Sequence, residues 1–171
     1  PLGHLSIAAH GHADALALWL HIGDQPVLVD AGTYLYHSGG PWRDRFRGTG
    51  LHNTLYLDGQ NTSRIAGAFN WSQKARCERT AWKSTQGETS ACGRHDGYLA
   101  SHGLLHERRL MAHGQGFTVC DSLVGEGNAG GSVDIGFLVH PDLAVTIDGN
   151  TATIFRQCQA LCPLSGRGAL V

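Results

Sequence analysis

Residues 13–36, ADALALWLHIGDQPVLVDAGTYLY, decide the fold class. In an extended chain Leu16, Leu18, Leu20 and Ile22 fall on one face, because side chains alternate with a period of two. Gly23-Asp24-Gln25-Pro26 then supplies a turn, and Val27-Leu28-Val29 resumes the strand, with Tyr34-Leu35-Tyr36 extended beyond it. Two apolar runs around a Gly/Pro turn predict a β-hairpin. The same pattern continues outward. Leu5–Ala9, Thr54–Leu57, Tyr98–Leu104, His106–Met111, Phe117–Val124 and Val133–Val139 read as short strands. Ala144–Ile147 and Thr151–Phe155 flank the turn Asp148-Gly149-Asn150. Residues 37–50, HSGGPWRDRFRGTG, read as a long loop, a place where function often resides. No long stretch carries a capped helical period. Short strands at roughly ten-residue spacing predict a single all-β domain over residues 1–171, an antiparallel β-sandwich.

Composition narrows the class further. A chain of 171 residues with 42% hydrophobic and 16% charged residues buries a core and is not disordered. The 24 glycines fit a protein of many tight turns. Thirteen Lys and Arg against fourteen Asp and Glu give a net charge of −1, so no basic field announces nucleic acid or a membrane surface. No apolar run is long enough to span a bilayer. The five cysteines, an odd number, do not describe a disulfide framework, and the Cys158/Cys162 spacing has no second pair to make a zinc ribbon. They read as small buried apolar residues.

The sharpest local signal is His10-Gly11-His12-Ala13-Asp14. Two histidines two residues apart can converge on one point, and a metal is one way to satisfy both imidazoles. A surface or hydrogen-bonded pair is the other reading. The H-x-H-x-D-H pattern of metallo-β-lactamases fails here at Ala15, and the alternating strands and helices that fold needs are missing. An amidohydrolase barrel lacks its helices too.

Four ordered segments carry more weight: HGHADALAL (10–18), PVLVDAGTYLYH (26–37), GPWRDRFRGTGLHNTLYLDGQ (40–60) and AGAFNW (66–71), with GFLVHPDL (136–143) and LSGRGALV (164–171) further on. This succession resembles the C-terminal domain of the heparinase II/III-like family. The resemblance implies a supersandwich-like β-domain that follows an N-terminal α/α toroid, with the chain a fragment of a longer protein. It also implies β-elimination on uronate-containing polysaccharide, and hence a periplasmic or secreted location.

Residue by residue, the resemblance makes His12, Asp30 and His52 ligands of a zinc ion that holds the β-domain loops in place. It places His10 toward the substrate cleft as a catalytic residue. Arg47, in RGT before His52, becomes a substrate clamp, since guanidinium forks bind oxyanions bidentately. Tyr34 and Tyr36 are candidates to stack on sugar rings or donate a hydroxyl, with packing as buried phenols the other reading. Arg43 and Arg45 read as a solvated loop face, and Asn53 as a residue that fixes backbone. Asp30 alone could instead cap a turn before Gly32. The main base and acid would belong to the toroid, so the expected partners are an acidic polysaccharide, that toroid, and a second copy of the fragment. One difficulty stands. A regular hairpin over 13–36 sets Asp30 opposite Trp19, roughly 20 Å along the strand from His12 at about 3.3 Å per residue.

Overall fold

The computed structural model describes residues 7–36, 38–114 and 116–156 in full and 159–164 by backbone. Leu5, residues 165–171, and the side chains of Cys158 and Cys162 lie outside the described residues. The elements run β1 (Leu20–Ile22), β2 (Gln25–Leu28), α1 (Pro41–Arg47), a 3-10 turn (Thr49–Leu51), β3 (Leu55–Leu57), β4 (Arg64–Gly67), β5 (Asn70–Gln73), β6 (Cys77–Thr85) and β7 (Glu88–His95). They continue with α2 (Leu99–His102), β8 (Leu104–His113), β9 (Gly116–Gly125), β10 (Val133–Ile135), β11 (Ala144–Asp148), β12 (Thr151–Arg156) and β13 (Gln159–Leu164). Among the described residues strand exceeds helix by 48% to 9%, and the strand pairings are antiparallel. The fold is all-β, of the sandwich class the sequence predicts.

The described residues form two compact units. The first draws on Pro1–Leu18 and Asp30–Leu138, the second on Trp19–Val29 and Val139–Val171. In the second, β1 pairs with β2, Leu28 bridges to Val139, and β11, β12 and β13 form a meander. Val27, Leu143 and Ile154 make its core. In the first unit β6, β7, β8 and β9 form a four-stranded meander, and β3 pairs with β10. Leu55 and Leu57 from β3 pack on Tyr98, Leu104 and Leu123, so the two sheets share one core. The Tyr98 hydroxyl donates to the Leu55 carbonyl at 3.0 Å and accepts from the Leu57 N–H at 3.3 Å, which pins β3 to that core.

Several expected strands take other forms. Ala13–Trp19 is an irregular strap: the Ala17 N–H donates to the Asp14 carbonyl, and Leu16 sits at φ 61°. The carbonyls of Ala13, Ala15, Leu16 and Leu18 accept from side chains, and the Ala13, Ala17 and Leu18 N–H groups donate to the Arg47, Asp14 and Asn53 carbonyls, in place of a partner strand. Residues 34–36 are not strand either, with Tyr34 at φ 66°, and residues 7–10 lie in turns. The expected loop 37–50 contains α1, which has Pro41 in its first turn, where no N–H is needed, and Asp44 in its first turn and Arg45 and Arg47 in its last, where the helix dipole favours those charges. Tyr98–Leu104 begins as the helical turn α2, closed by Gly103 in the left-handed region.

The four-stranded sheet carries a buried polar seam. Gly97 N–H donates to His95 Nδ1 at 3.1 Å, so the neutral His95 ring holds its proton on Nε2 and donates to His106 Nδ1 at 3.0 Å. His106 Nε2–H then donates to Asp121 Oδ1 at 2.7 Å, and Arg108 grips both oxygens of the same carboxylate at 2.7 and 2.9 Å. Each polar group therefore has a partner, as burial requires. Burial, with His106 and Arg108 beside it, pushes the His95 pKa down to about 3. Between about pH 6.5 and 3 the unfolded chain thus binds a proton there that the folded chain refuses, and stability falls as pH falls through that window. The expected slope from this residue approaches about 1.4 kcal/mol per pH unit, and His95→Gln should flatten it. Urea unfolding midpoints across that range test this; an unchanged slope in the variant refutes it.

Candidate functional site

The irregular strap removes the separation that a regular hairpin would impose. His12 leaves the strap at its start, Asp30 follows β2, and His52 follows the 3-10 turn. One donor atom from each lies within 4.8 Å of the others. Ala13 N–H donates to the Arg47 carbonyl at 2.8 Å, and Thr49 Oγ1 donates to the Ala13 carbonyl at 2.7 Å. These bonds dock the strap on the α1 end and set His12 beside His52, with ring centroids 5.2 Å apart.

Asp30 fills both roles considered for it. Its Oδ1 caps the Gly32 N–H at 2.8 Å, and its Oδ2 accepts from His52 Nδ1 at 2.6 Å. Burial alone would raise the Asp30 carboxyl, but those two hydrogen bonds outweigh it and hold the pKa below the usual carboxylate value. For His12, burial and the neighbouring His52 lower the pKa. The site thus favours an ionised carboxylate and a neutral imidazole, the forms that bind metal. His52 is almost wholly buried, and its Nε2 has no hydrogen-bond partner among the described residues. Two imidazoles and a carboxylate, with one buried ring nitrogen unsatisfied, fit a zinc ion in chemistry and in convergence.

Next to this group opens a cleft of about 150 Å³ lined by His10, His12, Thr33, Tyr34, Leu35, Tyr36 and Arg43. His10 is exposed and stacks on Tyr36 at 5.4 Å between centroids. Tyr34 stacks on Phe46 at 5.3 Å and lies 6.4 Å from Trp42, while Tyr36 leans on Phe69 at 5.5 Å. Tyr34, Tyr36 and Trp42 keep more than half of their surface in solvent, at 56%, 58% and 54%.

The structure places the arginines differently from the expectation at Arg43 and Arg47. Arg47, read as the clamp, is fully buried and does not line the cleft. Its Nη1 donates to the Gly67 and Ala68 carbonyls at 3.2 and 2.6 Å, and its guanidinium lies 4.6 Å over the Trp71 ring. It fastens α1 to the β4–β5 turn. Arg43, read as solvated, is also buried. It bonds the Tyr36 and Ala68 carbonyls and lies over Phe69, yet it is the arginine that reaches the cleft wall. Arg45 remains exposed, near Trp42. Asn53 does fix backbone: its Nδ2 donates to Leu18 O at 2.8 Å, and its Oδ1 accepts from the Leu138 N–H.

Residues 1–166 match the family model described as heparinase II/III-like, C-terminal. The chain belongs to that family. It is therefore a β-domain related to polysaccharide lyases, and the His12, Asp30 and His52 group and its cleft lie within the matched span. Comparisons with curated proteins and with solved structures return no match. No helix among the described residues is long and apolar enough to cross a membrane.

Proposed function

We propose that this heparinase II/III-like domain is the β-half of a lyase that cleaves uronate-containing acidic polysaccharide by β-elimination, with one zinc ion held by His12, Asp30 and His52. The observation that carries this reading is the adjacency of the donor trio to an open cleft bearing His10 and two exposed tyrosines. Bound there, zinc would supply a cross-link among three chain segments. It would fix the floor of the cleft.

Elimination requires three things of the protein: neutralising the uronate carboxylate, removing the C5 proton, and protonating the C4 oxygen as it leaves. His10 stands in the cleft, where an imidazole can donate to the carboxylate or exchange a proton at the reacting carbons. Tyr34 and Tyr36 offer aromatic faces for the sugar ring and hydroxyls for its oxygens. Arg43, fixed by two carbonyls, contributes positive potential to the wall and favours an anionic polymer. Arg47 holds the loop from behind and does not touch substrate. The remaining acid–base groups belong, on this reading, to an N-terminal toroid, and the exposed Tyr34, Tyr36 and Trp42 surface is what that toroid would cover. The same surface would drive self-association of the domain alone. A polysaccharide substrate also places the protein in the periplasm or outside the cell.

The test uses the full-length protein with several acidic polysaccharides, read by the absorbance of the unsaturated uronate that elimination creates. Turnover on at least one uronate-containing polymer is the expected result. A second reading, a carbohydrate-binding or structural module of an exopolysaccharide-related protein, draws on the exposed aromatic shelf. Binding of such polymers with no unsaturated product would establish it and reject the lyase.

A further inference from the structure

Arg108 lies on β8, far in sequence from the donor trio, yet its side chain ends among the backbone groups that carry it. The guanidinium is buried, and Nη1 donates to two carbonyls at once: Leu16 at 2.9 Å and Asn53 at 2.6 Å. Leu16 belongs to the strap that begins at His12. Asn53 follows His52 directly. The Asn53 carbonyl also accepts from the Leu18 N–H at 3.1 Å, and the Asn53 side chain donates to the Leu18 carbonyl. Thr54 Oγ1 bonds the Ala15 carbonyl at 2.8 Å. The strap and the His52 segment are thus laced together, and Arg108 is the cation at the centre of the lacing.

The other edge of the same guanidinium is fixed by Asp121, its cross-strand partner on β9, through a bidentate pair. Asp121 is in turn held by His106, and His106 by His95, whose Nδ1 is anchored on the Gly97 N–H. This chain has one consistent donor direction and leaves Arg108 a single orientation. A fork locked on one side presents its remaining N–H in a fixed place on the other.

We propose that Arg108 is a positioning residue for the metal site, holding the backbone of the strap and of Asn53 so that His12 and His52 converge. The proposal rests on reading His12, Asp30 and His52 as a zinc site. It goes beyond that reading by assigning control of the site's geometry to a residue of the distant β8–β9 hairpin. Outer groups that orient metal ligands typically change metal affinity by about 10–100-fold when lost.

The experiment measures zinc affinity of the full-length protein by competition with a chromophoric chelator, alongside circular dichroism and melting temperature. Arg108→Met keeps an unbranched apolar stem, shorter than arginine's, and removes the fork. It should remain folded and bind zinc at least about tenfold more weakly, with Arg108→Lys recovering only part of the loss. Leu104→Ala serves as the control: it should lower the melting temperature through the core and leave zinc affinity unchanged. Should Arg108→Met fail to fold, Asp121→Asn tests the same point, because it releases the fork without altering its size, and weaker zinc binding is again expected. Wild-type affinity in a folded Arg108 or Asp121 variant would overturn the proposal. So would an equal loss of affinity in Leu104→Ala, which would trace the effect to stability alone. A wild type that binds no zinc would overturn the metal reading itself, a result distinct from either.

Discussion

Replacing His10 with Ala in the full-length protein is expected to lower lyase turnover by about 10²–10⁴-fold, the usual range for loss of a positioned acid–base group, while bound zinc stays unchanged. The reason lies in where the two neighbouring histidines go. His12 turns to Thr33 and His52. His10 turns outward onto Tyr36 and Phe69 at the edge of the cleft, outside the donor trio. On the proposed function, one ring therefore faces substrate and the other faces the metal. Parallel measurement of turnover and metal content separates them. Joint loss of metal and activity would move His10 into the metal shell, and retention of both would remove it from catalysis.

His52→Ala should abolish stoichiometric zinc binding and lower the melting temperature by several degrees. His52 is the most buried of the three donors and donates the 2.6 Å hydrogen bond to Asp30, so its removal leaves the Asp30 carboxylate without its principal partner. Two stabilising effects vanish together. One is the linkage to bound metal, about 4 kcal/mol when free zinc exceeds its dissociation constant a thousandfold. The other is the charge-assisted hydrogen bond. Elemental analysis and thermal unfolding with and without a chelator distinguish them: the wild type should lose stability on chelation, and the variant should not respond. A variant that keeps one equivalent of zinc would remove His52 from the ligand set.

The β11–β12 hairpin was legible in the sequence because Asp148-Gly149-Asn150 separates two apolar runs, and the turn places Gly149 at φ 55°, which glycine adopts freely. The strap over 13–19 was not. Its alternating leucines imitate a strand, while the groups that satisfy its backbone are Thr49, Asn53, Thr54 and Arg108, invisible to any local pattern. That difference explains why a hairpin reading separated His12 from Asp30 and the fold does not. The burial of Arg43 and Arg47 was hidden for a similar reason. Whether a guanidinium is solvated or buried depends on carbonyls twenty or more residues away, at Gly67 and Ala68. The β6–β7 pair escaped notice because β6 is exposed along most of its length and so lacks an apolar face to read. His95 and His106 carried no sequence signal of partnership, yet the β7–β8 register sets them directly opposite each other. Same-face spacing offered a hint in His106, Arg108 and Asp121, two basic residues on one strand and an acid on the next.

The most direct test of the central claim is the metal content of the wild-type protein, purified without added metal and measured against protein concentration. The expected result is about one equivalent of zinc, with a chelator removing it and lowering the melting temperature. Protein that is free of zinc as purified, takes up none when it is supplied, and melts at the same temperature with or without chelator would contradict it.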